Sequence, residues 1–184
     1  MSLWGASTTD ESKPKHLTDA EKRDVYATKE GWVKRTAGTG GRAGRVHEEI
    51  LVAIGELAGG TSTTAGLARG TIDSVYFITS SVAAGNSEFE AEVSYNEAVT
   101  VTGVPTLGLT VEGSDVSLAY VAADSTANRL RFKGNITGAS AGDEITIAAN
   151  KLVKAGGSTI QDAGTTVDSV ITHGAGTVTI TVAA

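Results

Sequence analysis

Apolar and polar residues alternate with a period of two from residue 73 onward. Turn signals such as Ala84–Gly85–Asn86 and Ala141–Gly142–Asp143 separate about seven alternating runs. Because successive side chains of a strand point to opposite faces, each run predicts a strand with one buried face. Short strands with regular turns are typical of a β-sandwich, which we predict for residues 71–184. The alternating apolar positions are Val75 and Phe77; Phe89, Ala91, Val93 and Tyr95; Leu107, Leu109 and Val111; Leu118 and Tyr120; Leu130 and Phe132; Ile145 and Ile147; and Val178, Ile180 and Val182.

Residues 1–70 lack this pattern. Thr18, followed three residues later by Glu21, matches a capping box and predicts a short helix that runs to about Tyr26. The apolar residues of segment 46–57 fit a helical spacing, but Val46, Ile50, Val52 and Ile54 also alternate. A helix and a strand both remain open for this segment.

Two glycine-rich stretches interrupt the N-terminal part. Residues 38–44 contain four glycines, and residues 59–70 are rich in Gly, Ser and Thr, which is typical of a linker. Residues 1–70 contain too few apolar positions for a core of their own. We therefore expect an extended arm with short helical or strand pieces, which becomes ordered against a partner.

Opposite charges alternate along two of the predicted strands. Glu88, Glu90 and Glu92 lie on one strand, and Arg129, Arg131 and Lys133 lie on another. If these two strands are neighbours in one sheet, as in an immunoglobulin-type strand order, the charges face each other on its outer surface. Each directly opposed pair would then contribute roughly 0.2–1 kcal/mol.

Composition and charge exclude several kinds of function. The chain has no cysteine, which excludes disulfides, thiolate metal sites and cysteine catalysis. The net charge is +1 over residues 1–70 and −7 over residues 71–184, and an acidic surface disfavours nucleic acid as a partner. We also expect no membrane partner and no leader, because no long apolar stretch is present.

The run from Val93 to Leu107 is distinctive, because it contains Ser94–Tyr95–Asn96–Glu97 followed by Val99–Thr100–Val101–Thr102–Gly103 and Pro105–Thr106–Leu107. It resembles the immunoglobulin-like repeats of bacterial adhesins and surface-layer proteins. Further matches are Asn128–Arg129–Leu130–Arg131–Phe132 and Ile160–Gln161–Asp162–Ala163–Gly164. This resemblance covers about residues 73–184 and implies an immunoglobulin-like β-sandwich of about seven strands.

The N-terminal part resembles a different group of proteins. Ser2–Leu3–Trp4–Gly5, Gly31–Trp32–Val33–Lys34–Arg35 and the glycine run up to Val46 are similar to the start of virion structural proteins of tailed marine phages that infect cyanobacteria. The resemblance covers about residues 1–58. It implies a virion component that is assembled in the host cytoplasm, most like a capsid decoration or cement protein by analogy with other phages.

No pattern in the sequence indicates catalysis or a cofactor. The run Gly38–Thr39–Gly40–Gly41–Arg42–Ala43 fits a loose dinucleotide-binding form, but the sequence shows no clear strand pattern before it and no βαβ unit around it. The three histidines are far apart, which disfavours zinc. We interpret the carboxylates near predicted strand ends, Asp73, Glu97, Asp143 and Asp162, as turn caps, with calcium binding as the alternative. We therefore expect a protein that is not an enzyme and has no cofactor or metal.

Five N-terminal residues are the candidate partner-binding residues: Trp4, Trp32, Arg35, Arg42 and Arg45. Tryptophan is a common interface anchor, and the guanidinium fork suits carboxylates. The tryptophans either enter a partner pocket or pack on the sandwich of the same chain. The expected partner is the major capsid protein or another virion protein, and a homo-oligomer is also open. The alternatives are a tail, neck or fibre component and a module that adheres to a host surface or glycan.

Overall fold

The computed structural model describes residues 13–14, 17–28, 31–37, 46–53, 69–176 and 178–184. It confirms a mainly β fold, with 54% of the described residues in strands and a curled antiparallel sheet consistent with a β-sandwich. No helix within these ranges is long and apolar enough to cross a membrane. The strands are β1 Val25–Thr28, β2 Gly31–Ala37, β3 Val46–Ala53, β4 Ile72–Phe77, β5 Gly85–Tyr95, β6 Val99–Thr102, β7 Thr106–Val111, β8 Ser114–Tyr120, β9 Arg129–Ala139, β10 Glu144–Thr146, β11 Leu152–Val153, β12 Thr159–Asp162 and β13 Ile180–Thr181.

The largest sheet has the strand order β13-β10-β7-β8-β9-β5-β4, and β11 also pairs with β7. Strands β6 and β12 form a separate antiparallel pair. The inward side chains of β5 and β9 belong to the same apolar cluster as those of β7 and β10, so the curled sheet encloses one core. Its largest fully buried side chains are Phe89, Tyr95, Leu107, Leu109, Leu118, Leu130, Phe132, Ile136, Ile145 and Ile160.

The last strand is shorter than its sequence pattern predicts. Ile180 and Val182 are buried as expected, but Val178 is 43% exposed and lies before β13. Ala183 forms a parallel bridge with Ala83, and the Ala84 N–H donates to the Ala183 carbonyl. The segment between β4 and β5 is thereby joined to the opposite end of the sheet.

The predicted pairing of opposite charges between two neighbouring strands is present. Strands β5 and β9 are antiparallel neighbours, with Glu92 opposite Arg131 and Glu90 opposite Lys133. Arg131 donates through Nε to Glu92 at 2.9 Å and through Nη1 to Glu90 at 2.6 Å. Glu88 is opposite Asn135 rather than a basic residue. Since Glu92 is only 2% exposed, this network is more buried than the surface pairs that the sequence predicts.

The structure corrects the predicted N-terminal helix. The capping box is present, since the Thr18 N–H donates to the Glu21 carboxylate at 2.9 Å and the Glu21 N–H donates to the Thr18 hydroxyl at 3.3 Å. However, the helix is a single 3-10 turn, Glu21–Asp24, and strand β1 begins at Val25. The β-branched Val25 is fully buried, and its burial in a strand outweighs the continuation of a short helix.

Segment 46–53, for which the sequence leaves helix and strand open, is a strand. Strands β1, β2 and β3 form an antiparallel sheet in that order, which we call the N-terminal sheet. A register shift between Trp32 and Val33 marks a bulge where β2 pairs with β3. The part of the predicted arm from residue 25 to 53 thus contains regular paired strands, and the rest of segment 46–57 lies outside the described residues.

The Tyr95 hydroxyl lies in the core and has no hydrogen-bond partner within the described part of the chain. Burial raises the pKa of Tyr95 far above its usual range. The unfolded chain releases this proton above about pH 10 while the folded chain keeps it, so stability falls as the pH rises further.

The free energy of unfolding of the wild type should therefore fall by about 1 kcal/mol per pH unit in this alkaline range. We expect Tyr95→Phe to remove this fall, because phenylalanine has no proton to release. Urea unfolding at about pH 9 and about pH 11 measures the effect. Tyr26→Phe, at a 39% exposed position, is the control, and its free energy of unfolding should fall with pH as that of the wild type does. Equal declines for Tyr95→Phe and the wild type would contradict the prediction.

Candidate docking surface

The N-terminal sheet lies against one end of the β4-β5-β9 layer. The Ile50 N–H of β3 donates to the carbonyl of Asn96, the residue after β5, at 2.8 Å. The Thr36 hydroxyl of β2 accepts a 2.6 Å hydrogen bond from the Arg129 guanidinium of β9. These bonds attach two strands of the N-terminal sheet to the sandwich, so we call this contact the junction.

His47 is the most buried polar residue of the junction. It lies on β3 opposite Thr36 and is 0% exposed. Its Nε2 is 2.9 Å from the amide nitrogen of Asn128, the residue before β9. Its Nδ1 is 3.9 Å from the carboxylate of Asp73 on β4. The imidazole therefore connects β3 to both outer strands of this end of the sandwich.

Glu49 lies two residues after His47, opposite Lys34. Burial raises the pKa of Glu49, and the positive charges of Lys34 and Arg129 oppose part of that rise. Both cations come from elements that meet at the junction. The junction thus combines buried hydrogen bonds with a carboxyl group whose charge is only partly compensated.

The structure places Trp32 and Arg35 on opposite faces of β2. Because side chains alternate along a strand, Trp32 shares a face with Lys34 and Thr36, which is the face that contacts the sandwich. Arg35 shares the other face with Val33. The two residues therefore do not form one continuous patch on β2. Trp32 is partly buried, opposite Ala27 on β1 and Val52 on β3.

Arg35 belongs to a small exposed cluster. Its Nε donates to the Glu48 carboxylate of β3 at 2.8 Å, and its guanidinium carbon lies 5.3 Å from the ring centroid of Tyr26 on β1. Both ion-pair partners are nearly half exposed. We call Tyr26, Arg35 and Glu48 the outer cluster; they lie on the face of the N-terminal sheet opposite to the one that carries Thr36. The other candidate residues, Trp4, Arg42 and Arg45, lie outside the described residues.

A cleft of about 620 Å³ runs along β4, which has β5 as its one neighbour among the described strands of the sheet. Val46 lies at the mouth of the cleft and is 61% exposed. Asp73 and Tyr76 line one wall, and His173 lines the other. The cleft borders the junction. The residues of β4 that line it therefore contact both solvent and the N-terminal sheet.

Two of the four carboxylates near strand ends accept hydrogen bonds within their own turns. Asp143 accepts a hydrogen bond from the Ser140 N–H at 2.8 Å, and Asp162 accepts one from the Thr165 hydroxyl at 3.2 Å, as expected of turn caps. Glu97 and Asp162 line a cavity of about 150 Å³ together with Glu49. Across the ranges that the structure covers, no group of three or more His, Asp or Glu residues is arranged to hold a metal ion.

The His47–Asn128 contact could not be predicted from the sequence, because the two residues are 81 positions apart. Alternation along segment 46–54 does place His47 and Glu49 on one face, which is the face that is buried. The comparisons with known proteins find no matching family model, no similar curated protein and no similar solved structure.

Proposed function

We propose that this protein is a structural component of a tailed-phage virion, a decoration protein that binds the capsid through its N-terminal part. The observation that carries the proposal is the separation of the two parts of the fold. The N-terminal sheet attaches to the sandwich through the backbone of β3 and the side chain of Thr36, and it carries the exposed outer cluster on the face opposite to Thr36. An exposed aromatic ring beside a guanidinium is a typical docking anchor. The β-sandwich then projects away from the capsid surface.

The expected partner surface is acidic and belongs to the major capsid protein. Arg35 exchanges its exposed partner Glu48 for a carboxylate of the capsid, and Tyr26 packs beside it. An exposed ion pair contributes little stability to the free chain, so this exchange costs little. Many copies on a symmetric shell add their contacts through effective concentration. No catalytic step is part of this role.

Binding to expanded, undecorated capsids of the parent phage tests the proposal. We expect saturable, high-copy binding by the full chain and a loss of affinity of about tenfold or more for Arg35→Glu. Lys154→Glu is the matched control, because Lys154 forms a similar ion pair with Asp168 on the sandwich and should bind like the wild type.

Three results would count against the proposal in different ways. High-copy binding that Arg35→Glu leaves intact would remove the outer cluster from the interface. Equal losses for Arg35→Glu and Lys154→Glu would indicate general charge attraction. No binding, together with a few copies per virion by quantitative mass spectrometry, would place the protein in the tail or neck.

A further inference from the structure

Residues 173–175, which we call the wall segment, form the wall of the cleft opposite β4. Hydrogen bonds attach this segment to the chain between β10 and β11. The Asn150 N–H donates to the His173 carbonyl at 3.1 Å, and the His173 N–H donates to the Asn150 side-chain oxygen at 3.0 Å. The Gly176 N–H, directly after the segment, donates to the Ile147 carbonyl at 2.8 Å. The wall of the cleft is thus fixed by polar contacts at both of its ends.

The imidazole of His173 adds further hydrogen bonds, and these require one protonation state. Nε2 accepts from the N–H groups of Lys151 at 2.9 Å and Leu152 at 3.3 Å. Nδ1 is 2.6 Å from the Gly174 carbonyl oxygen, which can only accept, so Nδ1 carries a proton. All three partners are main-chain groups, and these cannot exchange donor for acceptor by rotation. The closed wall segment therefore requires a neutral imidazole with its proton on Nδ1.

We propose that His173 makes this wall of the cleft sensitive to pH: the neutral imidazole fixes the wall segment on Lys151 and Leu152, and the protonated imidazole leaves them and opens the wall. A proton on Nε2 would point at two N–H groups and break both bonds. Turning the ring over would place carbon atoms against the same groups. The side chain is only 9% exposed, so a charged ring in the closed position would also lose most of its hydration.

The charged groups around His173 favour the open position of a protonated ring. Asp73 and Tyr76 face it across the cleft from β4. The ring nitrogen that forms an ion pair with Asp73 within the described ranges is Nδ1 of His47, at 3.9 Å, and the Asp73 side chain is 49% exposed. The Lys151 ammonium is 2.9 Å from a carboxylate of β8. A ring that leaves its position enters the cleft, where the charge of Asp73 is opposite to its own.

The direction of the pH dependence follows from proton binding. Only the open form takes up a proton on Nε2 without losing hydrogen bonds, so the open form binds more protons and acidification favours it. Free imidazoles titrate near about pH 6.5. Opening should therefore be about tenfold more frequent at about pH 5.5 than at about pH 7.5. The bonds of Asn150 and Gly176 do not depend on this proton, so the opening remains local.

Two NMR measurements on the full chain test the proposal. Imidazole ¹⁵N shifts at neutral pH should show a proton on Nδ1 of His173 and none on Nε2. Hydrogen exchange of the Lys151 and Leu152 amides, corrected for its intrinsic dependence on pH, should become about tenfold faster between about pH 7.5 and about pH 5.5. The amides of β9, in the interior of the largest sheet, should keep their protection.

His173→Gln should abolish this acceleration, since the glutamine oxygen accepts hydrogen bonds from main-chain N–H groups and does not titrate. His47→Gln is the matched control, because it removes another buried imidazole and should retain the acceleration. The proposal is overturned by a protonated Nε2 at neutral pH, by a wild type without the acceleration, by an unchanged acceleration in His173→Gln, or by its loss in both variants. If His173→Gln does not fold, the wild type still decides, because an equal acceleration in β9 would mean that the opening is not local. The test is independent of capsid binding.

Discussion

Phe89→Ala is expected to lower the free energy of unfolding by about 4 kcal/mol. Phe89 is 0% exposed and makes an edge-to-face contact with Phe77, with ring centroids 5.0 Å apart. Its cross-strand partner on β9 is Gly134, which has no side chain to fill the space. A Cβ atom on Gly134 would lie only 3.0 Å from Leu118, so the backbone is already closely packed there. The vacated volume therefore remains a cavity.

Urea unfolding followed by circular dichroism measures this loss. Phe89→Leu keeps most of the volume and should cost about 1 kcal/mol. Val153→Ala, at a 51% exposed position, should change stability by no more than about 0.5 kcal/mol. A loss below about 1 kcal/mol for Phe89→Ala would mean that β5 and β9 do not enclose a close-packed core.

Arg131→Met is expected to cost about 3 kcal/mol, although the methionine keeps most of the apolar stem. The guanidinium bonds to Glu92 and Glu90 at once, and Glu92 is 2% exposed. Removing the cation leaves Glu90 with Lys133 at 3.8 Å, whereas the buried Glu92 loses its guanidinium partner. Breaking such a pair from one side costs more than the pair contributes, because a buried charge loses its compensation.

A double-mutant cycle separates the charge from the packing. Glu92→Gln in the Arg131→Met background should recover part of the lost stability, since it removes the buried negative charge. Lys154→Met, which breaks an exposed ion pair with Asp168, should have a much smaller effect. Independent, additive losses for Arg131→Met and Glu92→Gln would show that the two side chains do not act as a pair.

The sandwich could be predicted because its strands carry their own pattern. The alternating residues of β5 and β9 gave both the buried face and the opposed charges, and the structure has both. The prediction of about seven strands agrees with the largest sheet, whose path has seven strands, to which β11 adds an eighth. Strand β11, which no alternating run predicts, has only two residues. Runs this short do not alternate for long enough to be recognised.

The N-terminal sheet was harder to predict, for a physical reason. Val25 and Val33 are its buried apolar residues in β1 and β2, and polar residues surround both in the sequence. His47 occupies a buried position that a pattern of apolar residues does not show. The partners of this sheet are hydrogen-bonding groups near Asn96, Asn128 and Arg129, which only the folded sandwich brings together.

Within the candidate surface, the sequence identified residue types better than their arrangement. Arg35 is exposed and forms an ion pair with Glu48, as expected of a docking residue. Trp32 lies on the other face of the same strand. Two residues of a strand share a face only when their positions differ by an even number, and the positions of Trp32 and Arg35 differ by three. The partner-binding role of all five candidate residues stays a prediction.

The bridge between Ala83 and Ala183 determines when the sandwich can be completed during synthesis. The segment near residue 83 waits for a partner about a hundred residues later, so the curled sheet closes only after residues 180–183 have left the ribosome. Until then the edge of β10 lacks its neighbour β13, and the incomplete sheet is exposed to wrong pairing. The N-terminal strands pair over short distances and can form early. They nevertheless have no sandwich to join until translation has passed β9, so the two parts of the molecule assemble in a fixed temporal order.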